Sequence, residues 1–152
     1  MLHEIIVNNV LIISLCSWVI SQLCKVIIVW VREKHFDLGY LVISGGMPSS
    51  HSAIVTALAT SVALTQGLAS VAFGISVILA LIVMYDAAGV RQSVGQQTIV
   101  LNRILQEIRF RRPAIELGRD LKEFLGHTRF EAIIGGLIGI CIAWSWLTIT
   151  GT

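Results

Sequence analysis

Four stretches of the chain are almost continuously apolar, and the polar residues collect between them. The first runs from about Ile5 to Val31, with Gln22 and Lys25 near its end; the second covers about Ala53 to Leu64, the third Leu68 to Met84, and the fourth Ala132 to Ile149. Crossing a bilayer takes about 20 mostly apolar residues in a helix. The pattern therefore predicts an all-α integral membrane bundle with about four transmembrane helices. The second stretch is short for a crossing, so the polar residues in front of it are expected at membrane depth or inside the protein. Met1 to Asn9 holds no basic segment and no small-residue cleavage site follows, so the first stretch is expected to remain as a mature span.

A different pattern fills the gap between the third and fourth stretches. From Gln97 to Phe110, Ile99, Val100, Leu101, Ile104, Leu105 and Ile108 are interspersed with Asn102, Arg103, Gln106, Glu107 and Arg109. These intervals predict an amphipathic helix, packed on the bundle or lying in the membrane interface. Pro113 should end it, and Ile115 to Phe124 predicts a second short amphipathic helix. The expected organisation is a single membrane-embedded domain over residues 1–152, with short amphipathic helices in the 90–125 segment.

Composition agrees with this pattern. Hydrophobic residues make up 55% of the chain and charged residues only 13%, against about 25% charged in soluble domains. The placement of charge adds orientation. Arg32 and Lys34 follow the first stretch, while Arg91, Arg103, Arg109, Arg111, Arg112, Arg119, Lys122 and Arg129 follow the third. Two spans separate these segments, which puts both on one face, and basic loops favour the cytoplasm. Both termini and the Thr65 to Ala69 turn then lie opposite. The basic excess reads as topology and attraction to anionic lipid, with no nucleic-acid partner expected. Cys16, Cys24 and Cys141 lack metal-ligand spacing and are expected to be small buried hydrophobes.

Three polar clusters could carry chemistry. "GGMPSSHSA", residues 45–53, stands in front of the second stretch. Pro48 suits the first helical position, which would leave Ser49, Ser50 and His51 to present early backbone N–H groups to an anion, with Gly45 and Gly46 giving flexibility. A capped helix with a solvated histidine fits the same residues. In "GHTRFEA", residues 126–132, His127 and Glu131 are four apart and share a helix face. The carboxylate can orient the imidazole as a nucleophile, or the pair can be a surface contact. In "KVIIVWVR", Lys25 and Arg32 bracket six apolar residues, close to two turns. A buried cation calls for an anionic partner; snorkelling to headgroups is the alternative, more so for Arg32. Asp86, followed five residues on by Arg91, reads either as a structural ion pair or as a phosphate arginine with its orienting acid. Tyr85 suits an interfacial anchor.

Together these clusters resemble the type 2 phosphatidic acid phosphatase superfamily, which also contains vanadium haloperoxidases. The family pattern is Lys-x6-Arg-Pro, then Pro-Ser-Gly-His, then Ser-Arg-x5-His-x3-Asp. Lys25-x6-Arg32 fits the first with Glu33 for proline, and Pro48-Ser49-Ser50-His51 fits the second with Ser50 for glycine. His127-x3-Glu131 fits the third with glutamate for aspartate, but Leu121 stands where the arginine belongs, and Arg91, Arg119, Lys122 and Arg129 are the candidate substitutes. The chain is most similar to a small divergent branch marked by "GGMPSSHSA", "MYDAAGVR" and "LGHT", and the resemblance covers most of residues 22–140.

The resemblance implies hydrolysis of a lipid phosphomonoester or pyrophosphate, of the phosphatidylglycerophosphate, phosphatidic acid or polyprenyl phosphate type, without metal or cofactor. His127 would attack phosphorus and become a phosphohistidine, Glu131 would orient it, and His51 would protonate the leaving oxygen. Lys25, Arg32, Ser49, Ser50 and Gly46, with Arg91 and Asp86, would form the substrate-binding set. The missing arginine also leaves open a catalytically degenerate membrane protein that binds anionic lipid or a partner, and, more weakly, a metal site built from His51, His127, Glu131 and Asp86. A homo-oligomer would help four spans enclose a lipid headgroup.

Overall fold

The computed structural model describes residues 8–34, 46–89, 97, 100, 101, 103, 104 and 129–151. Four helices carry most of them: α1 (Asn9–Glu33), α2 (Ser50–Gln66), α3 (Val71–Ala88) and α4 (Arg129–Thr150); no strand occurs among the described residues. Three of the helix starts are set by a small polar side chain that takes an otherwise unmatched N–H. Asn8 accepts from Leu11 N–H at 3.1 Å, Ser49 from Ser52 N–H at 3.3 Å and Ser70 from Phe73 N–H at 3.2 Å. The second of these corrects the expectation for Pro48. Because Ser49 caps the helix, Pro48 lies before the cap, and the first-turn N–H groups belong to Ser50, His51 and Ser52.

Residues Asn9–Val31 and Arg129–Thr150 are long and apolar enough to cross a membrane. The middle helices are shorter. The 17 residues of α2 rise about 26 Å against a hydrocarbon core of about 30 Å, and its apolar run is diluted by Ser, Thr and Ala. In α3 the apolar stretch is Val71–Ala87. Gln97, Val100, Leu101, Arg103 and Ile104 are helical and exposed; the remainder of the expected 97–110 helix and all of the 115–124 helix lie outside the described residues.

Large apolar side chains face outward: Leu23, Ile27 and Trp30 on α1, Ile75, Ile78 and Ile82 on α3, and Ile133, Leu137 and Trp144 on α4 are all exposed. The interior instead holds small and polar residues, among them Ser14, Ser17, Ser21, Gln22 and Lys25 on α1 and Ser49, Ser50, Ser52 and Ser61 on α2. Water does not solvate so continuous an apolar exterior, whereas lipid does. Cys141 belongs to that exterior: it is exposed, not buried as expected, while Cys16 and Cys24 are partly covered.

Small residues inside allow close helix approach, the usual means of packing where lipid removes the hydrophobic drive. Central in the bundle, α2 touches α1, α3 and, most extensively, α4. Away from the starts of α2 and α4, Ile13, Ala57, Ala143 and Leu147 form an apolar cluster backed by Trp146. Towards the other end, Gly135 lies directly against the Ser49 backbone and Gly139 against Ala53 O and Thr56 Oγ1. The Thr56 hydroxyl lies 2.9 Å from Gly136 O and 2.8 Å from Ser52 O, tying the two helices together.

Gly139→Ala should therefore separate α2 and α4 and lower stability by about 1–3 kcal/mol, the usual cost of overpacking a close-packed site. Gly74, in α3, faces open space, so Gly74→Ala should leave stability unchanged or raise it by up to about 1 kcal/mol. Thermal unfolding of both variants in one detergent checks the pair; equal melting would remove the packing role given to Gly139.

Candidate active site

At one end of the bundle, α1 finishes while α2 and α4 both begin. The close glycine contacts bring the two starts together: Ser49 N–H donates to the Glu131 carbonyl oxygen at 3.2 Å. This bond crosses 82 positions of sequence, from 49 to 131. It joins the start of α2 to the first turn of α4.

Lys25 approaches the same place from α1. Its side chain is 0% exposed, and it attracts Glu131 electrostatically. A Cβ on Gly46 would meet Lys25 Cγ and Cδ at 3.7 Å, and Gly46 has φ +91°, a conformation that glycine adopts without strain. The Met47–Pro48 peptide bond that follows is cis. The lysine stem is thus enclosed by the turn that leads into α2.

Ser49 is largely occupied by structure. Its Oγ accepts from Ser52 N–H at 3.3 Å and from the Ser52 hydroxyl at 3.1 Å, and its carbonyl accepts from Ala53 N–H at 3.1 Å. A hydroxyl has one proton and two acceptor sites, so only the Ser49 O–H proton is left for an outside acceptor. Ser50 is buried beside it, and His51 is half-buried in the first turn of α2. Asp86 is half-buried in the last turn of α3 and Tyr85 is exposed next to it. Both border an apolar hollow of about 440 Å³ whose other walls are Leu81 and Ile82.

Of the expected site residues, Lys25, Gly46, Ser49, Ser50, His51 and Glu131 gather at this end. His127 and Arg91 lie outside the described residues, as does the side chain of Arg32. A buried ammonium beside the N-terminal dipole of α2 can hold a tetrahedral oxyanion. The carboxylate of Glu131 offsets the lysine charge, and its two oxygens can serve both Lys25 and an imidazole.

Two features were not among the expected residues. Gly135 and Gly139 bring α4 up to the start of α2; their signal was the four-residue spacing of small residues in "GGLIG". The second feature is Ser17, whose hydroxyl donates to Ala53 O at 3.2 Å. With Ser14, Ser21 and Lys25 it forms a polar stripe at helical spacing inside an apolar helix.

A family model described as "Divergent PAP2 family" matches residues 6–142. The chain is also 41% identical over 148 residues to the uncharacterized membrane protein YuiD of Bacillus subtilis (strain 168), a match that covers 91% of this chain and 94% of the relative. No solved structure matches the chain.

Proposed function

Because the chain belongs to the divergent PAP2 family, we propose that it is a multi-pass membrane phosphatase that cleaves a lipid phosphomonoester or pyrophosphate through a phosphohistidine. The observation that carries this reading is the meeting of Lys25, Gly46, Ser49 and Glu131, drawn from three separate sequence clusters, at one end of the bundle.

In this mechanism His127 attacks phosphorus while His51 gives a proton to the leaving oxygen. Lys25, Arg32, Ser50 and the first N–H groups of α2 hold the non-bridging oxygens, where charge builds in the transition state. Water, deprotonated by His51, then breaks the phosphorus–nitrogen bond and releases phosphate. Arg91, with Asp86, takes the place of the family arginine that Leu121 lacks. The apolar hollow beside Tyr85 and Asp86 offers room for an acyl chain. The basic segments that flank the site set this face towards the cytoplasm.

Purified protein in mixed micelles should release phosphate from phosphatidic acid, phosphatidylglycerophosphate or a polyprenyl phosphate equally well with and without EDTA. His51→Ala should slow release by about a hundredfold, the low end for loss of a general acid. Lipid binding without turnover across the three substrates would instead establish a degenerate lipid-binding protein.

A further inference from the structure

Ser21 is a buried group near the site for which the mechanism has no use. It is 0% exposed, and its Oγ makes no hydrogen bond among the described residues. A helical serine commonly satisfies itself on the carbonyl one turn back, as Ser14 does on Val10 O at 2.7 Å. Ser21 does not. An unsatisfied buried hydroxyl costs free energy, so natural proteins keep one mainly where a ligand, ion or water completes it.

The direction of Ser21 follows from its neighbours along α1. Ser17, one turn before it, contacts Ala53 O on α2, and Lys25, one turn after it, contacts Gly46 and attracts Glu131. Residues four apart share a helix face. Ser21 therefore lies between these contacts, at the level of the first turn of α2, about 6 Å along the axis from each. The lysine and the unmatched hydroxyl thus share the face of α1 that packs on the start of α2.

We propose that the Ser21 hydroxyl donates a hydrogen bond to a non-bridging oxygen of the bound phosphate, as an additional substrate-binding residue one turn before Lys25. The proposal rests on the phosphate-site reading above and deepens it. It adds one more oxygen contact to those that Lys25, Arg32 and Arg91 would give in that reading.

Inorganic phosphate is the probe, with binding followed by ³¹P NMR titration and by the phosphate-induced shift in melting temperature. Wild type is compared with Ser21→Ala and Ser61→Ala. Ser61 is a fair control because its buried Oγ is equally unmatched among the described residues, yet it lies 11 residues along α2 from Ser50, about 16 Å away. Ser21→Ala should weaken phosphate binding by about tenfold or more, as loss of one hydrogen bond to a charged group does, while Ser61→Ala binds as wild type.

Without phosphate, Ser21→Ala should melt no lower than wild type, because it removes an unmatched polar atom; a merely structural serine would lower it. Wild-type binding retained in Ser21→Ala would overturn the proposal while leaving the phosphate site in place, and equal weakening in both variants would overturn it as a general packing effect. No phosphate binding by wild type would overturn the site itself.

Discussion

His127→Ala is expected to release phosphate at least about a thousandfold more slowly than wild type, because loss of a covalent nucleophile removes the reaction path and not one contact along it. Glu131, in the first turn of α4, is four residues after His127, the spacing that lets a carboxylate hold an imidazole N–H. In the proposed mechanism such a hold would leave the other nitrogen available to form the bond to phosphorus. The expected loss therefore falls on kcat, with the affinity for inorganic phosphate changed by less than about tenfold. A rapid quench kept free of acid should trap ³²P on wild type and none on His127→Ala. Turnover equal to wild type would sink the nucleophile assignment, whatever the other residues do.

Lys25→Met should damage the protein in two separable ways. The first is stability. Lys25 is fully buried and attracts Glu131, so its removal strips that carboxylate of its compensating charge. Removing one partner of a fully buried pair costs about 3–5 kcal/mol; Glu131 is only half-buried, which brings the expectation down to about 2 kcal/mol. The second is turnover, which should fall by about a hundredfold or more through the loss of a preorganised cation at the phosphate oxygens. The double change Lys25→Met with Glu131→Gln removes both charges. It should recover most of the melting temperature and none of the turnover. Recovery of both would make the pair purely structural, and loss of neither in Lys25→Met would remove Lys25 from the site.

Much of the architecture was legible in the pattern of apolar residues. The first and last expected stretches, Ile5 to Val31 and Ala132 to Ile149, became α1 (Asn9–Glu33) and α4 (Arg129–Thr150). Their ends moved by a few residues because side chains cap helices where the local chain permits, as Asn8 does for α1. The Pro48 expectation failed for a related reason. Proline at the first helical position and serine as cap are both sound local rules, and the cap prevailed because Ser49 also satisfies its own N–H on Glu131 O.

The candidate site was legible only in pieces. Lys25, "GGMPSSHSA" and Glu131 could each be named from residue type and spacing, yet each also fitted a bland structural role. Serines 14, 17 and 21 gave a periodic signal, but the meaning of that stripe depends on which helix it faces. In this bundle the exterior is more apolar than the interior, so the usual rule that apolar faces turn inward gives the wrong answer. Side-chain size marks the interior here more reliably than hydropathy does.

By itself, the amino-acid sequence determined that the chain is helical, where its apolar stretches lie and which residues could bind an anion, because hydropathy and helix propensity act over one or two turns. The tertiary structure alone decided that α2 and α4 begin side by side and that Lys25 meets Glu131 between them. Those outcomes depend on the missing side chains of Gly135 and Gly139, which let two backbones touch across more than eighty positions of chain. Such contacts depend on shape and distance in space, and no local property of either segment encodes them.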